Sequence, residues 1–227
     1  MKRTFVAEVM TTPVVTATEA MSFRDLVALL HARDIGAVPV IAPAGQVLGV
    51  VSCPDLIPKA AGGLAGAAGL RLESRARRQE RRQALGRTAA QLMTAPAVTI
   101  APEATVGEAA RIMRRHRVGR LPVTFQLTGR LAGIVTRSDL LRVYLRPGED
   151  IRAEIEREVF SRACGACPGC LTVTVRDGIV QVSGRVECRS AIPRLVTGIQ
   201  EIEGVIGVDQ DIAYDIDDRY PTMPASF

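Results

Sequence analysis

Thr136, Arg137, Ser138 and Asp139 follow an apolar run and open what reads as a helix. Two hydroxyls and a guanidinium in four positions suit an anion, and the carboxylate beside them accepts hydrogen bonds. Peptide N–H groups at a helix start point outward, and Arg137 adds a charge-assisted contact where its side chain turns inward. A related tetrapeptide, Ser52, Cys53, Pro54 and Asp55, keeps the outer hydroxyl and carboxylate. Its Pro54 removes a hydroxyl and an N–H donor, so this copy is expected to be the weaker site. The plainer role for either aspartate is to cap the helix it opens. A second candidate is CGACPGC, whose Cys164, Cys167 and Cys170, with Cys188 after seventeen intervening residues, supply four thiolates for zinc or an iron–sulfur cluster. Free small residues, buried or at an edge, are the alternative. A third is RIMRRHRVGR: Arg120, between Gly119 and the next strand, is placed to reach a polyphosphate, while Arg111, Arg114, Arg115 and Arg117 fit a solvated helix face. The chain has two histidines, and His116 has neither carboxylate nor nucleophile beside it, so no hydrolase or metal-enzyme constellation is present in sequence. The expectation is a protein that binds rather than catalyses.

The elements that must position these residues come from a repeat. Residues 9 to 56 align with residues 92 to 140 with one single-residue insertion, matching Met10 to Met93, Pro13 to Pro96, Gly36 to Gly119, Pro39 to Pro122, Gly49 to Gly133 and Asp55 to Asp139. Shared glycines and prolines constrain the backbone, so both copies should have one fold. Each reads as an extended MTxPxVT segment, an amphipathic helix capped by Ser22 or Thr105, two short apolar strands joined by a turn, and a helix start. The strand runs are AVPVIA and VLGVVS in the first copy and RLPVTF and LAGIVT in the second, continuous enough to be buried on both faces. A repeat of about 50 residues has a marginal core alone, so the two must pack together.

The copies occupy residues 1–57 and 88–149, and between them lies an insertion, 58–87, Gly/Ala-rich and then Arg-rich. Residues 71 to 87 hold seven Arg and two Glu, a local +5 equal to the net charge of the whole 227-residue chain. Aromatic residues are only 4% and none interleave with these arginines, which argues for a solvated linker helix rather than a specific nucleic-acid surface. From residue 150 the composition turns acidic, with eight Arg against thirteen acids, and alternating strands flank an Asp177-Gly178 turn. A separate small α+β domain over 150–217 and a flexible tail over 218–227 are the simplest account. No run of 18 apolar residues and no signal-peptide core precede or interrupt these segments, so a cytoplasmic protein with reduced cysteines is expected.

With MTTPVVT and MTAPAVT, IGAVPV and VGRLPV, and GVVSCPD and GIVTRSD recurring in order, the repeats resemble a tandem pair of cystathionine β-synthase (CBS) domains, the Bateman module. Through VRDGIVQVSGRV and EGVIGVDQDI, residues 150 to 217 resemble a BON domain. The fold implied is α/β and α+β: two pseudo-symmetric CBS repeats packed as one module, followed by a small C-terminal α+β BON domain.

That resemblance implies an adenosyl nucleotide, AMP- or ATP-like, in the cleft between the repeats. Asp139 would accept ribose hydroxyls and Thr136 and Ser138 would face phosphate, with Arg137 and Arg120 as cations. Val118, Gly119 and Leu121 would form an apolar wall, and Thr99 with Ile100 would lie beside adenine. Thr16, Ser52 and Asp55 would make the weaker first-repeat counterpart. It further implies a non-catalytic regulator, a homodimer, an unidentified protein target and, through the BON part, contact with a phospholipid surface. The alternatives are a structural adaptor, with CBS repeats used for dimerisation, and a cysteine-based metal or redox sensor.

Overall fold

The computed structural model describes residues 3–60, 85–161 and 170–219. Most of the insertion, Cys164, Cys167 and the last eight residues of the tail lie outside the described residues. The chain forms two compact units, Phe5–Leu140 and Leu141–Phe227 with Met1–Thr4.

In the first unit the first repeat runs α1 (Val6–Val9), β1 (Ala17–Thr18), α2 (Phe23–Ala32), β2 (Ala37–Ile41), β3 (Val47–Ser52) and α3 (Cys53–Ala60). The second runs α4 (Ala89–Leu92), α5 (Val106–His116), β4 (Arg120–Thr124), β5 (Leu131–Thr136) and α6 (Arg137–Leu141). Ser22 Oγ accepts from Asp25 N–H at the start of α2. Thr105 and Glu108 form a reciprocal capping box on α5, at 3.2 and 2.8 Å, so both expected caps are formed. Hairpins β2–β3 and β4–β5 share their register, Pro39 opposite Val50 and Pro122 opposite Ile134, and each bulges near its distal end. Thr12–Pro13 and Ala95–Pro96 are both cis, extending the likeness of the copies to their peptide bonds.

The copies exchange their leading segments. Thr11 pairs with Ile134 in the second repeat, and Thr94 pairs with Val50 in the first. Val6 N–H donates to Ala104 O at 2.8 Å, while Ala89 N–H donates to Met21 O at 2.8 Å. Ala89 and Leu92 have no exposed surface and complete a core built from Ala17, Leu26, Leu30, Val38, Val40 and Val51. A fully buried leucine contributes about 1.5–3 kcal/mol, so the first repeat's core depends on residues from beyond the insertion. Through this exchange each repeat pairs with the leading segment of the other.

In the second unit a 3-10 turn (Arg142–Leu145) leads to α7 (Gly148–Glu154), which runs into a π-helical turn (Ile155–Phe160). Strands β6 (Leu171–Arg176) and β7 (Ile179–Cys188), helix α8 (Ala191–Gln200) and β8 (Gly207–Ile216) follow. The sheet order is β6-β7-β8, antiparallel then parallel. Asp177 and Gly178 both have positive φ, 51° and 76°, as the expected two-residue hairpin requires. Alternation places Val173, Val180 and Val182 in a core with Ile151, Ile155, Leu195 and Ile199, and leaves Thr174, Gln181 and Ser183 exposed. Gly184, at φ +135°, lets the chain pass Cys170 closely: an added Cβ would lie 2.1 Å from Cys170 O.

Candidate functional site

The hydroxyl-x-x-Asp loops fall where a strand becomes a helix in both repeats. In the second, Thr136 N–H and Oγ1 both donate to Asp139 Oδ2, at 2.9 and 2.7 Å, and Asp139 N–H donates back to Thr136 Oγ1 at 3.3 Å. Asp139 is only 5% exposed. In the first, Ser52 N–H donates to Asp55 Oδ2 at 2.7 Å, the Ser52 hydroxyl donates to the same oxygen, and Thr94 Oγ1 donates to Asp55 Oδ1 at 3.2 Å. Each Oδ2 thus anchors its own loop in capping geometry, so the aspartate fixes the turn that presents the hydroxyl and the neighbouring positions. Thr94 is a site-forming residue that sequence reasoning missed; its place in the matched MT segment, one residue after Met93, is the signal that carried it.

Around the second loop the structure brings together several expected residues. Arg137 N–H donates to Gly119 O at 3.1 Å and its Nη2 donates to Val118 O at 3.3 Å, so the guanidinium folds over Gly119. Arg120 and Thr136 are direct cross-strand partners, which puts their side chains on one face of the hairpin. Leu121, opposite Val135, has no exposed surface and belongs to the core. Ile100 runs parallel to Val123, with Ile100 N–H donating to Pro122 O and Thr124 N–H to Ile100 O. Thr99 and Ile100 also line a cavity of about 930 Å³, together with Arg111, Arg114 and Arg115 on α5. Asp139 and Thr136 do not line it. The arginines on α5 are exposed, as a solvated face predicts.

In the first repeat Thr16 immediately precedes β1, which lies parallel to β2 as the Ile100 segment lies along β4. Cys53 N–H donates to Gly36 O at 3.0 Å, the counterpart of the Arg137–Gly119 bond. Cys53 is exposed and offers no cation where Arg137 does. The guanidinium that lies against Gly36 comes instead from Arg120 of the other repeat: a Cβ added at Gly36 would come within 2.9 Å of its Nη2.

The cysteine centre expected from sequence is corrected at Cys170. Cys170 is disulfide-bonded, so its sulfur is no thiolate ligand and the expectation of reduced cysteines fails there. Cys188 is a free thiol. Arg185 N–H donates to Cys170 O, and Cys188 stands three residues further along β7, roughly 10 Å at strand rise. Partial burial first, then Asp218 and Glu187, raise the Cys188 thiol above its usual range. Among the described residues no three His, Cys, Asp or Glu side chains converge on a common metal position.

The sequence model described as CBS domain matches residues 6–62 and 89–146. No family is assigned to the region beyond. The AMP complex of CBSX2, a CBS-pair protein of Arabidopsis thaliana, is similar at a TM-score of 0.53 and 25% identity, over 62% of this chain and 96% of that one. The CBS domain pair of protein MJ0100, in complex with 5′-methylthioadenosine and S-adenosyl-L-methionine, is similar in fold at a TM-score of 0.50 and 20% identity, over 63% of this chain and 97% of that one. A search of curated proteins returns no match. No helix among the described residues is long and apolar enough to cross a membrane.

Proposed function

Because the chain belongs to the CBS-domain family, we propose that it is a non-catalytic regulatory protein that senses an adenosyl nucleotide between its two repeats. The observation that carries this reading is the Thr136–Asp139 loop, built as a rigid hydroxyl–carboxylate turn with Arg137 and Arg120 rooted beside it. The likeness to the AMP complex of CBSX2 supports it. In this reading Asp139 accepts ribose hydroxyls, while Thr136, Ser138 and Arg137 face phosphate. Val118 and Gly119 flank the base, which lies near Thr99 and Ile100. The ligand acts through its different affinities for two arrangements of the repeats, and the C-terminal domain, BON-like in sequence, or a partner receives the change. That domain is the part proposed to meet a phospholipid surface or a protein target.

A second copy of the chain is proposed to cover the groove between α2 and α3, lined by Phe23, Val27, Leu30, Ile35, Leu56 and Ile57. Val27 and Ile57 are 42% and 61% exposed there, in a groove that His31, Asp34 and Cys53 also line. Sedimentation of the intact protein tests this.

The structural-adaptor reading is favoured by one specific observation, that Oδ2 of both aspartates is engaged in its own loop. Calorimetry separates the two. AMP, ATP and 5′-methylthioadenosine are titrated into the intact protein and into Asp139→Ala and Asp55→Ala. Sensing predicts heat with at least one ligand and a larger loss for Asp139→Ala. No heat with any of them across a wide concentration range leaves only the adaptor.

A further inference from the structure

The two repeats do not arm their glycines with equivalent residues. Gly36 and Gly119 occupy the same position in the two copies, before β2 and β4, and each has one guanidinium against it. At Gly119 it is Arg137, from the same repeat, whose Nε and Cζ would lie 3.8 and 3.9 Å from an added Cβ. At Gly36 it is Arg120, from the other repeat, with Nη2 at 2.9 Å and Nη1 at 3.4 Å. The counterpart of Arg137 is Cys53 and the counterpart of Arg120 is Ala37, neither of which carries a charge. Register fixes the direction of reach. Arg120 is paired with Thr136, as Ala37 is with Ser52, so its backbone is rooted in the second site while its charged end lies in the first. No hydrogen bond or ion pair holds that guanidinium to another described residue, in contrast to Arg137, which is tied to Val118 O.

Resting on the nucleotide reading above, we infer that Arg120 is the phosphate-binding cation of the first repeat's site, beside Gly36, Ser52 and Asp55, and not of the second, in whose repeat it lies. The first site then keeps a cation although its own loop has lost one hydroxyl at Pro54 and an arginine at Cys53. It is also a joint site. A phosphorylated ligand there touches both repeats and favours the arrangement that holds Arg120 against Gly36. A ligand in the second site draws its carboxylate, hydroxyls and Arg137 from one repeat and exerts no such pull.

The test uses the intact protein with AMP and, as the phosphate-free probe, adenosine. Asp139→Asn leaves the first site to be measured and Asp55→Asn the second. A charge-assisted contact to phosphate predicts that Arg120→Ala lowers AMP affinity about tenfold or more in the Asp139→Asn protein. Adenosine affinity should stay within about twofold, since the contact is made to phosphate alone. In the Asp55→Asn protein Arg120→Ala should change neither, while Arg137→Ala lowers AMP affinity. Gly36→Ala should reproduce Arg120→Ala, because the added methyl displaces only the end of a flexible side chain and spares the fold. A loss of AMP affinity on Arg120→Ala in the Asp55→Asn protein, equal losses for AMP and adenosine, or no effect in either background overturns this assignment while the nucleotide reading stands. Absence of AMP binding by the unmodified protein removes both.

Discussion

Met93 interlocks with Gly49 across the boundary between the repeats: a Cβ on Gly49 would lie 2.6 Å from the Met93 sulfur and 2.8 Å from Thr94 O. Met10 repeats the arrangement with Gly133, whose added Cβ would lie 2.5 Å from the Met10 sulfur. Each glycine sits at the middle of a hairpin strand, where only a missing side chain lets the exchanged segment pair, Thr94 with Val50 and Thr11 with Ile134. The matched glycines of the sequence repeat are therefore docking points for the matched methionines, and the exchange joins the two copies into one folding unit.

Alanine at either glycine should overpack this contact, at about 1–3 kcal/mol. Gly49→Ala should cost more than Gly133→Ala, because Thr94 O is backbone and Met10 offers only a flexible side chain. Urea denaturation of the single variants measures the difference. Met10→Ala combined with Gly133→Ala should be less destabilised than the sum of the two, since the methionine tip is the atom displaced. Additive effects would mean that the contact is not shared.

The repeat, its strands, both helix caps and the Asp-Gly hairpin were legible because each rests on local chemistry: a hydroxyl three residues before the N–H that donates to it, period-two alternation, a glycine at positive φ. Exchange of the leading segments was not. Pairings such as Thr11 with Ile134 join residues far apart in sequence, and the apolar pattern of VAEV or AAQL does not say which repeat it covers. The loop carrying Asp139 was readable as a motif, and its partners Val118 and Gly119 were named with it. That the Arg120 guanidinium lies against Gly36 of the other repeat was not legible, because sequence gives the root of a long side chain and not where its tip ends. Cys170 was misjudged for a related reason: spacing shows which sulfurs are near one another along the chain, and the same nearness serves a disulfide as well as a metal.

In the C-terminal unit Arg146 joins three segments. Its Nη2 pairs with Glu154 Oε2 at 2.8 Å and its Nη1 donates to Glu203 O at 2.8 Å, while the Glu203 carboxylate accepts from Thr4 N–H at 2.9 Å. Glu154 is 3% exposed, so removing Arg146 takes a paired cation from a buried carboxylate. Arg146→Met should therefore destabilise this unit by about 3 kcal/mol, and adding Glu154→Gln should recover part of the loss by lowering the cost of burying that charge. Denaturation followed in the intact protein, with hydrogen exchange over Ile151, Ile155 and Leu195 as the local probe, reads the result. A loss below about 0.5 kcal/mol would mark the pair as an ordinary exposed one.

At the far end of the same unit, β8 is clamped to the turn before α8. Arg189 Nη1 donates to Asp217 Oδ2 at 2.6 Å and to Tyr214 Oη at 3.0 Å, its guanidinium carbon stands 4.9 Å from the Tyr214 ring centre, and Arg219 Nε donates to Asp217 Oδ1 at 3.1 Å. Hydrogen bonds from Arg219 first and from Arg189 next hold the Asp217 carboxyl well below its usual 3.8, at about 2. A folded-state value below the unfolded one means that the unfolded chain binds the proton first as pH falls. The stabilisation is therefore complete above pH 3.8 and is lost as pH drops towards 2. Asp218, lowered by the Ser190 hydroxyl and its backbone N–H, acts in the same direction. Asp217→Asn should thus be less stable than the unmodified protein at neutral pH, and the gap should narrow between pH 4 and 2. Because Arg189 and Asp217 are partly exposed, salt should shrink the effect at every pH. Carboxyl NMR of Asp217 supplies the direct reading: a midpoint near 2 with an intact fold supports the clamp, and a midpoint at the ordinary 3.8 means that Arg189 and Arg219 do not hold it in solution.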